Sequence, residues 1–282
     1  MKPPLRTLVF CLAIAMLCAS IAGASVVFRP RENAKYVAPG EEEISGTSQQ
    51  LFDKAQEAEK AGNTSRAIRY YGVLVRKHPK DALAAGAAFQ RAQLLEQTHD
   101  YLKAADMYRL VVEKYPKFER FNDAIEAQFR IGEMYLNGKK AKFLGLAVGN
   151  ALDRSVDIFA AIIRTAPYGK YTARAQFNIG LAREKQGSND AALQAYQAVI
   201  DKFPDEPIAA DAQYQIGYIW FHSAKTGTKD AAAAKNAKMG FQDFLFKHPN
   251  SEKAAQARED MKLLDTKQTT NAFQVARFYD KQ

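Results

Sequence analysis

Ala127-Gln128-Phe129-Arg130-Ile131-Gly132 returns almost unchanged as Ala175-Gln176-Phe177-Asn178-Ile179-Gly180, and again as Ala212-Gln213-Tyr214-Gln215-Ile216-Gly217. Two looser copies stand upstream, Phe89-Gln90-Arg91-Ala92 and Phe52-Asp53-Lys54-Ala55. Each keeps an aromatic three residues before a Gly or Ala. A second pattern is locked to the first. Pro79, Pro116, Pro167, Pro204 and Pro249 follow the copies at spacings of 37, 51, 37 and 45, so that two intervals match and two carry insertions. Ahead of each Pro stand a small residue (Ala67, Ala104, Ser155, Ala192, Ala237), then an aromatic (Tyr71, Tyr108, Phe159, Tyr196, Phe241), then Leu74, Val111, Ile162, Val199 or Phe244.

Offsets of four and three place these three residues on one helix face. The small residue admits a neighbouring helix, and the aromatic fills the space beside it. The Gly or Ala of the upstream hexamer thins the first helix, so that the second lies close. Pro then ends the pair, because it cannot extend a helix and restricts the residue before it. Period, helix pair and closing Pro together read as tetratricopeptide repeats. The expected fold is an all-α tetratricopeptide-repeat solenoid of about five helix pairs plus a terminal helix. Expected bounds are 1–24 for a signal peptide, 25–46 for a flexible tether, 47–265 for the repeat array and 266–282 for the terminal helix. Thr47 or Ser48 caps the first helix.

The leader reads as an address. Lys2 and Arg6 precede an apolar run from Leu8 to Ala19, and Ala22-Gly23-Ala24 supplies a small-residue cleavage site. Two other readings stay open: an uncleaved anchor, although the run is short for a span, and a lipid anchor on Cys18, although Leu17 is a poor residue before an acylated Cys. Both cysteines, Cys11 and Cys18, lie in this leader. A chain cut after Ala24 has no thiol for a disulfide, a nucleophile or a zinc site. The net charge of +9 would lose only Lys2 and Arg6. A basic exported protein suits anionic surfaces or acidic partners rather than nucleic acid. Residues 29–46 are polar, hold Pro30, Pro39 and Glu41-Glu42-Glu43, and lack apolar periodicity.

No catalytic constellation is visible, and no enzyme activity, cofactor or metal is implied. His78 and His248 sit directly before a closing Pro, a slot that holds Tyr115, Ala166 or Phe203 elsewhere, so it reads as a packing position. His99 and His222 are isolated, and phosphate-binding, dinucleotide and nucleophile-elbow motifs are missing. Binding remains. First helices line the concave face of a repeat array. The candidate partner-binding residues are therefore Phe52, Gln56, Phe89, Gln93, Arg130 and Glu133. The recurring aromatics either face that groove as apolar pockets or sit in the core between helices. An apolar groove with amide rims suits an extended peptide or a partner helix. The first insertion, Asn137 to Asn150, sets Lys139, Lys140 and Lys142 beside Phe143-Leu144-Gly145-Leu146-Ala147-Val148. It either touches a membrane surface or partner, or lengthens a helix. The second insertion, around Ala224 to Ala234, lengthens a helix pair.

Two stretches carry a family resemblance. Leu51-Phe52-Asp53-Lys54-Ala55-Gln56 with Gly62-Asn63 and Ala67-Ile68 resembles the first repeat of the outer-membrane assembly lipoprotein family, BamD. Phe241-Gln242-Asp243-Phe244-Leu245, Lys247-His248-Pro249-Asn250-Ser251 and Val275-Ala276-Arg277-Phe278-Tyr279 resemble its late repeats. The resemblance implies a non-enzymatic periplasmic scaffold at the inner face of the outer membrane. Its implied partners are the periplasmic domains of the barrel insertase and unfolded outer-membrane protein segments. A periplasmic repeat adaptor of the Tol–Pal or cell-division kind shares the period. That kind usually carries a coiled coil before its repeats, and residues 29–46 have no heptads.

Overall fold

The computed structural model describes residues 25–27, 35–37, 44–138, 142–143, 146–147, 151–226 and 231–279. The expected signal peptide, Cys18, most of the tether, and Lys139 and Lys140 lie outside the described residues. The chain divides into two compact units, Met1–Ala84 and Ala85–Gln282.

The first unit holds a short antiparallel hairpin, β1 (Ser25–Val27) with β2 (Lys35–Val37), within the stretch expected as a tether. It then holds one helix pair, α1 (Ser48–Lys60) and α2 (Thr64–Lys77). Thr47 caps α1 through a reciprocal box. Its hydroxyl accepts from the Gln50 N–H at 3.2 Å, and the Gln50 side chain accepts from the Thr47 N–H at 3.1 Å. Residues just before α1 are strapped onto the turn after α2. Ser48 donates to Asp81 at 2.5 Å, and the His78 Nε2 lies 3.1 Å from the Gly46 carbonyl. His78 thus has a structural partner, as its slot before Pro79 implied. Ser48, together with the Leu83 N–H, holds the Asp81 carboxyl below its ordinary range.

The second unit continues with α3 (Leu83–Gln97, its residues from Ala85 onward), α4 (Tyr101–Lys114), α5 (Phe121–Leu136), α6 (Ala151–Thr165), α7 (Thr172–Lys185), α8 (Asn189–Lys202), α9 (Ile208–Thr226), α10 (Ala231–Lys247) and α11 (Ala254–Tyr279). Odd-numbered helices carry the hexamer, and even-numbered helices carry the residues that precede each Pro. The expected five pairs and terminal helix are therefore present. Helix α11 begins at Ala254, ahead of the boundary placed at residue 266, and runs unbroken to Tyr279. The first insertion does not lengthen α5. It pairs Lys142–Phe143 (β3) with Leu146–Ala147 (β4) in an antiparallel hairpin. The second insertion does lengthen its pair, giving α9 19 residues and α10 17.

Helix ends follow from the prolines. His78, Tyr115 and Phe203 leave the helical region with φ of −127°, −129° and −136°, yet each still donates its N–H to the carbonyl four residues back. The turns inside pairs need a left-handed residue, supplied by Gly62 (φ 72°) and Gly187 (φ 73°). In the second pair that residue is His99, at φ 65°.

The thin positions behave as the sequence indicated. A Cβ on Gly132 would lie 2.8 Å from the Phe159 ring, on Gly180 2.5 Å from Tyr196, and on Gly217 2.7 Å from Phe241. Ala55 and Ala92 hold the same slot in the looser repeats and are fully buried. Helices α9 and α10 approach backbone to backbone, since a Cβ on Gly240 would lie 2.9 Å from the Gly217 Cα. The array pattern stops in α11. Ala257 keeps its buried place, but the aromatic slot holds Glu259 and the thin slot Lys262, both exposed. The ring and the thin position of the earlier first helices are thus both replaced by charged residues in α11.

Candidate interaction surface

Every hexamer aromatic meets the aromatic of its own second helix. The ring centroids are 5.6 Å apart for Phe52–Tyr71, 5.4 Å for Phe89–Tyr108, 5.4 Å for Phe129–Phe159, 5.2 Å for Phe177–Tyr196 and 5.7 Å for Tyr214–Phe241. Offset and edge-on pairs of this kind add stability beyond buried area. Four of the five hexamer rings are buried, Phe89 and Phe129 to 3% exposure, and Phe52 is half-buried.

Of the two settings open to these rings, the structure gives the core. Phe89 is expected above as a partner-binding residue, but its ring is already covered. Tyr108 and Phe118 pack on it, and the Arg120 guanidinium lies 4.1 Å from its centroid. Arg174 covers Phe129 in the same way at 5.1 Å, with Tyr171 stacked at 5.0 Å, and Lys253 covers Tyr214 at 5.2 Å.

The polar candidates lie nearer solvent. Gln56 is exposed in the first unit. In the second, Gln93 is half-buried, and Arg130 and Glu133 both engage neighbouring first helices. Arg130 on α5 donates to Glu96 on α3 at 2.5 Å, and Arg174 on α7 reaches Glu133 on α5 at 3.5 Å. Gln215 on α9 donates to Glu184 on α7 at 3.4 Å. The first helices from α3 to α9 are thus linked by a row of polar side chains.

The row continues inward through tyrosines that sequence reading did not connect to it. Tyr108 donates to Glu96 at 3.0 Å and Tyr196 to Glu184 at 2.8 Å, while in the first unit Glu59 lies close enough to Tyr71 to act on its hydroxyl and keeps one buried carboxylate oxygen without a partner. Burial pushes the Tyr108 and Tyr196 hydroxyls well above their ordinary range, and the neighbouring carboxylates push them further. Burial, and then the Glu59 carboxylate beside it, push the Tyr71 hydroxyl above its ordinary range as well. Tyr214 is pushed up to about 12, mainly by burial, with Asp260 adding to it. A signal for this was in the sequence. Glu59, Glu96 and Glu184 each stand seven residues after the hexamer aromatic, only where the second helix carries Tyr. Where it carries Phe159 or Phe241, that position holds Leu136 or Phe221.

Among the described residues, no group of three His, Cys, Asp or Glu side chains is placed to hold a metal ion. No helix among them is long and apolar enough to cross a membrane. The geometry defines a repeat protein whose first helices offer linked polar side chains over a closed aromatic core.

Comparison with known proteins agrees with that class. Residues 52–117 match the tetratricopeptide repeat model, and residues 149–282 match the family described as outer membrane lipoprotein. The outer membrane protein assembly factor BamD of Caulobacter vibrioides is 24% identical over 129 residues, which is 46% of this chain and 42% of that protein. The chain thus aligns with less than half the length of this curated relative. A tetratricopeptide-repeat protein from Bacteroides fragilis is similar in structure, with a TM-score of 0.50, 16% identity, and coverage of 78% of this chain and all of that one. The sequence matches support a BamD-like tetratricopeptide-repeat protein, and the structural likeness supports the repeat fold alone.

Proposed function

We propose that this protein is a non-enzymatic scaffold that binds polypeptides along its first helices and serves outer-membrane β-barrel assembly on the periplasmic side. One observation carries the reading. The outer membrane lipoprotein match begins at residue 149 and runs through the late repeats to the Val275-Ala276-Arg277-Phe278-Tyr279 segment. Gln56 in the first unit, and separately the polar side chains of α3 and α5 in the second, supply the recognition chemistry.

In this reading Gln56, Gln93, Arg130 and Glu133 make the contacts, by hydrogen bonds to partner backbone and by exchange of exposed ion pairs. Phe52 and Phe89 position those helices from behind. The proposed partners are the periplasmic domains of the barrel insertase and unfolded outer-membrane protein segments, and Lys139, Lys140 and Lys142 are proposed to touch the membrane surface.

The test is photo-crosslinking in cells with a reactive residue at position 93 or 56, followed by identification of the trapped protein. Trapping of the barrel insertase or its substrates is expected. Trapping of Tol–Pal or division proteins without the insertase overturns the assembly role.

A further inference from the structure

The second helices carry a feature that the first-helix surface does not use. Helices α4 and α6 lie side by side over α5 and leave a cleft of about 430 Å³ between them. Its floor is made of small and apolar side chains, among them Ala105, Ile158 and Ala161, together with the amide of Gln128. Gln128 is 1% exposed, and its amide nitrogen makes only a 3.4 Å bond to the Ala124 carbonyl. That length is at the outer limit of a useful hydrogen bond.

Three arginines stand on the walls: Arg109 on α4, and Arg154 and Arg164 on α6. Two carboxylates, Asp106 and Asp157, line the same cleft, so the arginines leave it a net charge of +1, and each arginine has an acidic neighbour at its exposed edge. Arg154 lies 4.0 Å from Asp157, Arg164 3.6 Å from Glu113, and Arg109 3.0 Å from Asp106. Asp157 and Asp106 are 72% and 60% exposed, so these pairs are largely solvated and contribute little to holding the arginines in place. A carboxylate arriving over the apolar floor meets guanidinium groups able to bind both of its oxygens.

We propose that this cleft docks an extended, acidic polypeptide segment of a partner protein. The spacing of the arginines suits the extended form. Arg154 and Arg164 are ten residues apart on one helix, about 15 Å along its axis. In an extended strand about 15 Å is spanned by four to five residues, so two carboxylates at that spacing reach both arginines. The Gln128 amide, with spare capacity at the floor, is placed to meet the strand backbone. The surface lies on α4 and α6, so a ligand there leaves the first helices free for another.

The test is fluorescence anisotropy with a labelled ten-residue peptide of alternating Glu and Ala, against its Gln-for-Glu counterpart, on the full chain. Saturable binding of the acidic peptide is expected, with little binding of the neutral one. Each single change among Arg109→Gln, Arg154→Gln and Arg164→Gln should weaken it about threefold, and the triple change tenfold or more. Lys103→Gln removes an equal charge from an exposed site on α4 outside the cleft and should change nothing. Ala160→Phe fills the cleft while keeping every charge and should abolish binding, with helical circular dichroism confirming the fold. No binding, equal binding of both peptides, or loss from the arginine changes with none from Ala160→Phe each overturns the proposal.

Discussion

Two kinds of helix pair occur in this chain, and they close the same joint by different means. In the pairs built on Tyr108 and Tyr196 the second-helix ring ends in a hydroxyl that bonds a glutamate on the first helix, and in the pair built on Tyr71 the hydroxyl faces Glu59 in the same position. In the pairs built on Phe159 and Phe241 the joint is dry, and Leu136 and Phe221 occupy the glutamate position. Both kinds keep the ring pair and the thin first helix. What differs is whether the joint also carries a link to the next repeat. Glu96 accepts from Tyr108 on one oxygen and from Arg130 of the following first helix on the other. Glu184 links Tyr196 to Gln215 through a single oxygen, which accepts from both. The dry third pair leaves the corresponding residue of the following helix, Asn178, with a buried amide nitrogen that has no partner. A missing carboxylate is thus felt one repeat further on.

The most severe way to break this comparison is to give the dry joint half of the polar one. Leu136→Glu buries a carboxylate against Phe159 and should cost about 3–5 kcal/mol. Adding Phe159→Tyr supplies the hydroxyl donor, and Asn178 can offer its unused N–H. The double variant should recover about 2 kcal/mol or more of that loss. Denaturant unfolding of wild type, both singles and the double measures the coupling. Independent, additive effects would show that the hydroxyl and carboxylate do not act as one joint.

The reverse change is milder. Tyr196→Phe leaves the ring and its contact with Phe177 in place and removes only the bond to Glu184. The carboxylate keeps Gln215, so the cost should be about 1–2 kcal/mol. The same substitution logic predicts no gain at Phe241, where the joint is already dry.

Alkali tests the tyrosine joints without mutation. Tyr71, Tyr108 and Tyr196 have folded-state pKa values raised above the ordinary 10 by burial and then by their carboxylates. A raised folded value means that the unfolded chain loses its proton first. The stability from these groups is therefore complete below pH about 10 and is lost as pH rises beyond it. Thermal unfolding followed from pH 9 to 11.5 should show a falling midpoint. Tyr196→Phe should make that fall shallower, and Phe159→Leu should leave its slope unchanged.

How much of this was legible in the sequence depends on which contacts repeat with the period. The thin position, the paired aromatics and the Pro stop recur in every unit, so Gly132 and Phe159 could be assigned without coordinates. The sequence narrows the cap of α1 to Thr47 or Ser48, and the reciprocal bonds with Gln50 select Thr47. The tyrosine–glutamate joint was missed because its two halves lie on different helices and recur in only three of five units. It becomes visible only when Glu59, Glu96 and Glu184 are aligned against the Tyr or Phe of the second helix. Phe89 was assigned to a binding groove because aromatic spacing cannot tell an open ring from one covered by the next repeat. Arg120 and Phe118, which cover it, come from a turn with no fixed register to the hexamer. The boundary expected at residue 266 falls inside α11, because the buried residues Ala257 and Leu264 pack in one cluster with Phe221 and Phe241 and carry the helix through it.

The smallest effect sharpens the comparison within the polar kind. The first and fourth pairs turn between their helices through Gly62 and Gly187, but the second pair uses His99 at φ 65°. A left-handed residue with a Cβ carries strain that glycine does not. His99 has one compensation, a 2.8 Å contact between its Nδ1 and the Tyr101 hydroxyl. That contact is exposed, so it recovers only part of the strain. His99→Gly should therefore stabilise the fold by about 0.5–1 kcal/mol, since relief of the left-handed strain outweighs both the lost contact and the greater freedom glycine gives the unfolded chain. Urea midpoints for wild type, His99→Gly and Tyr101→Phe resolve the balance. A lower midpoint for His99→Gly than for wild type would mean that the His99–Tyr101 contact, not backbone geometry, sets the residue at this turn.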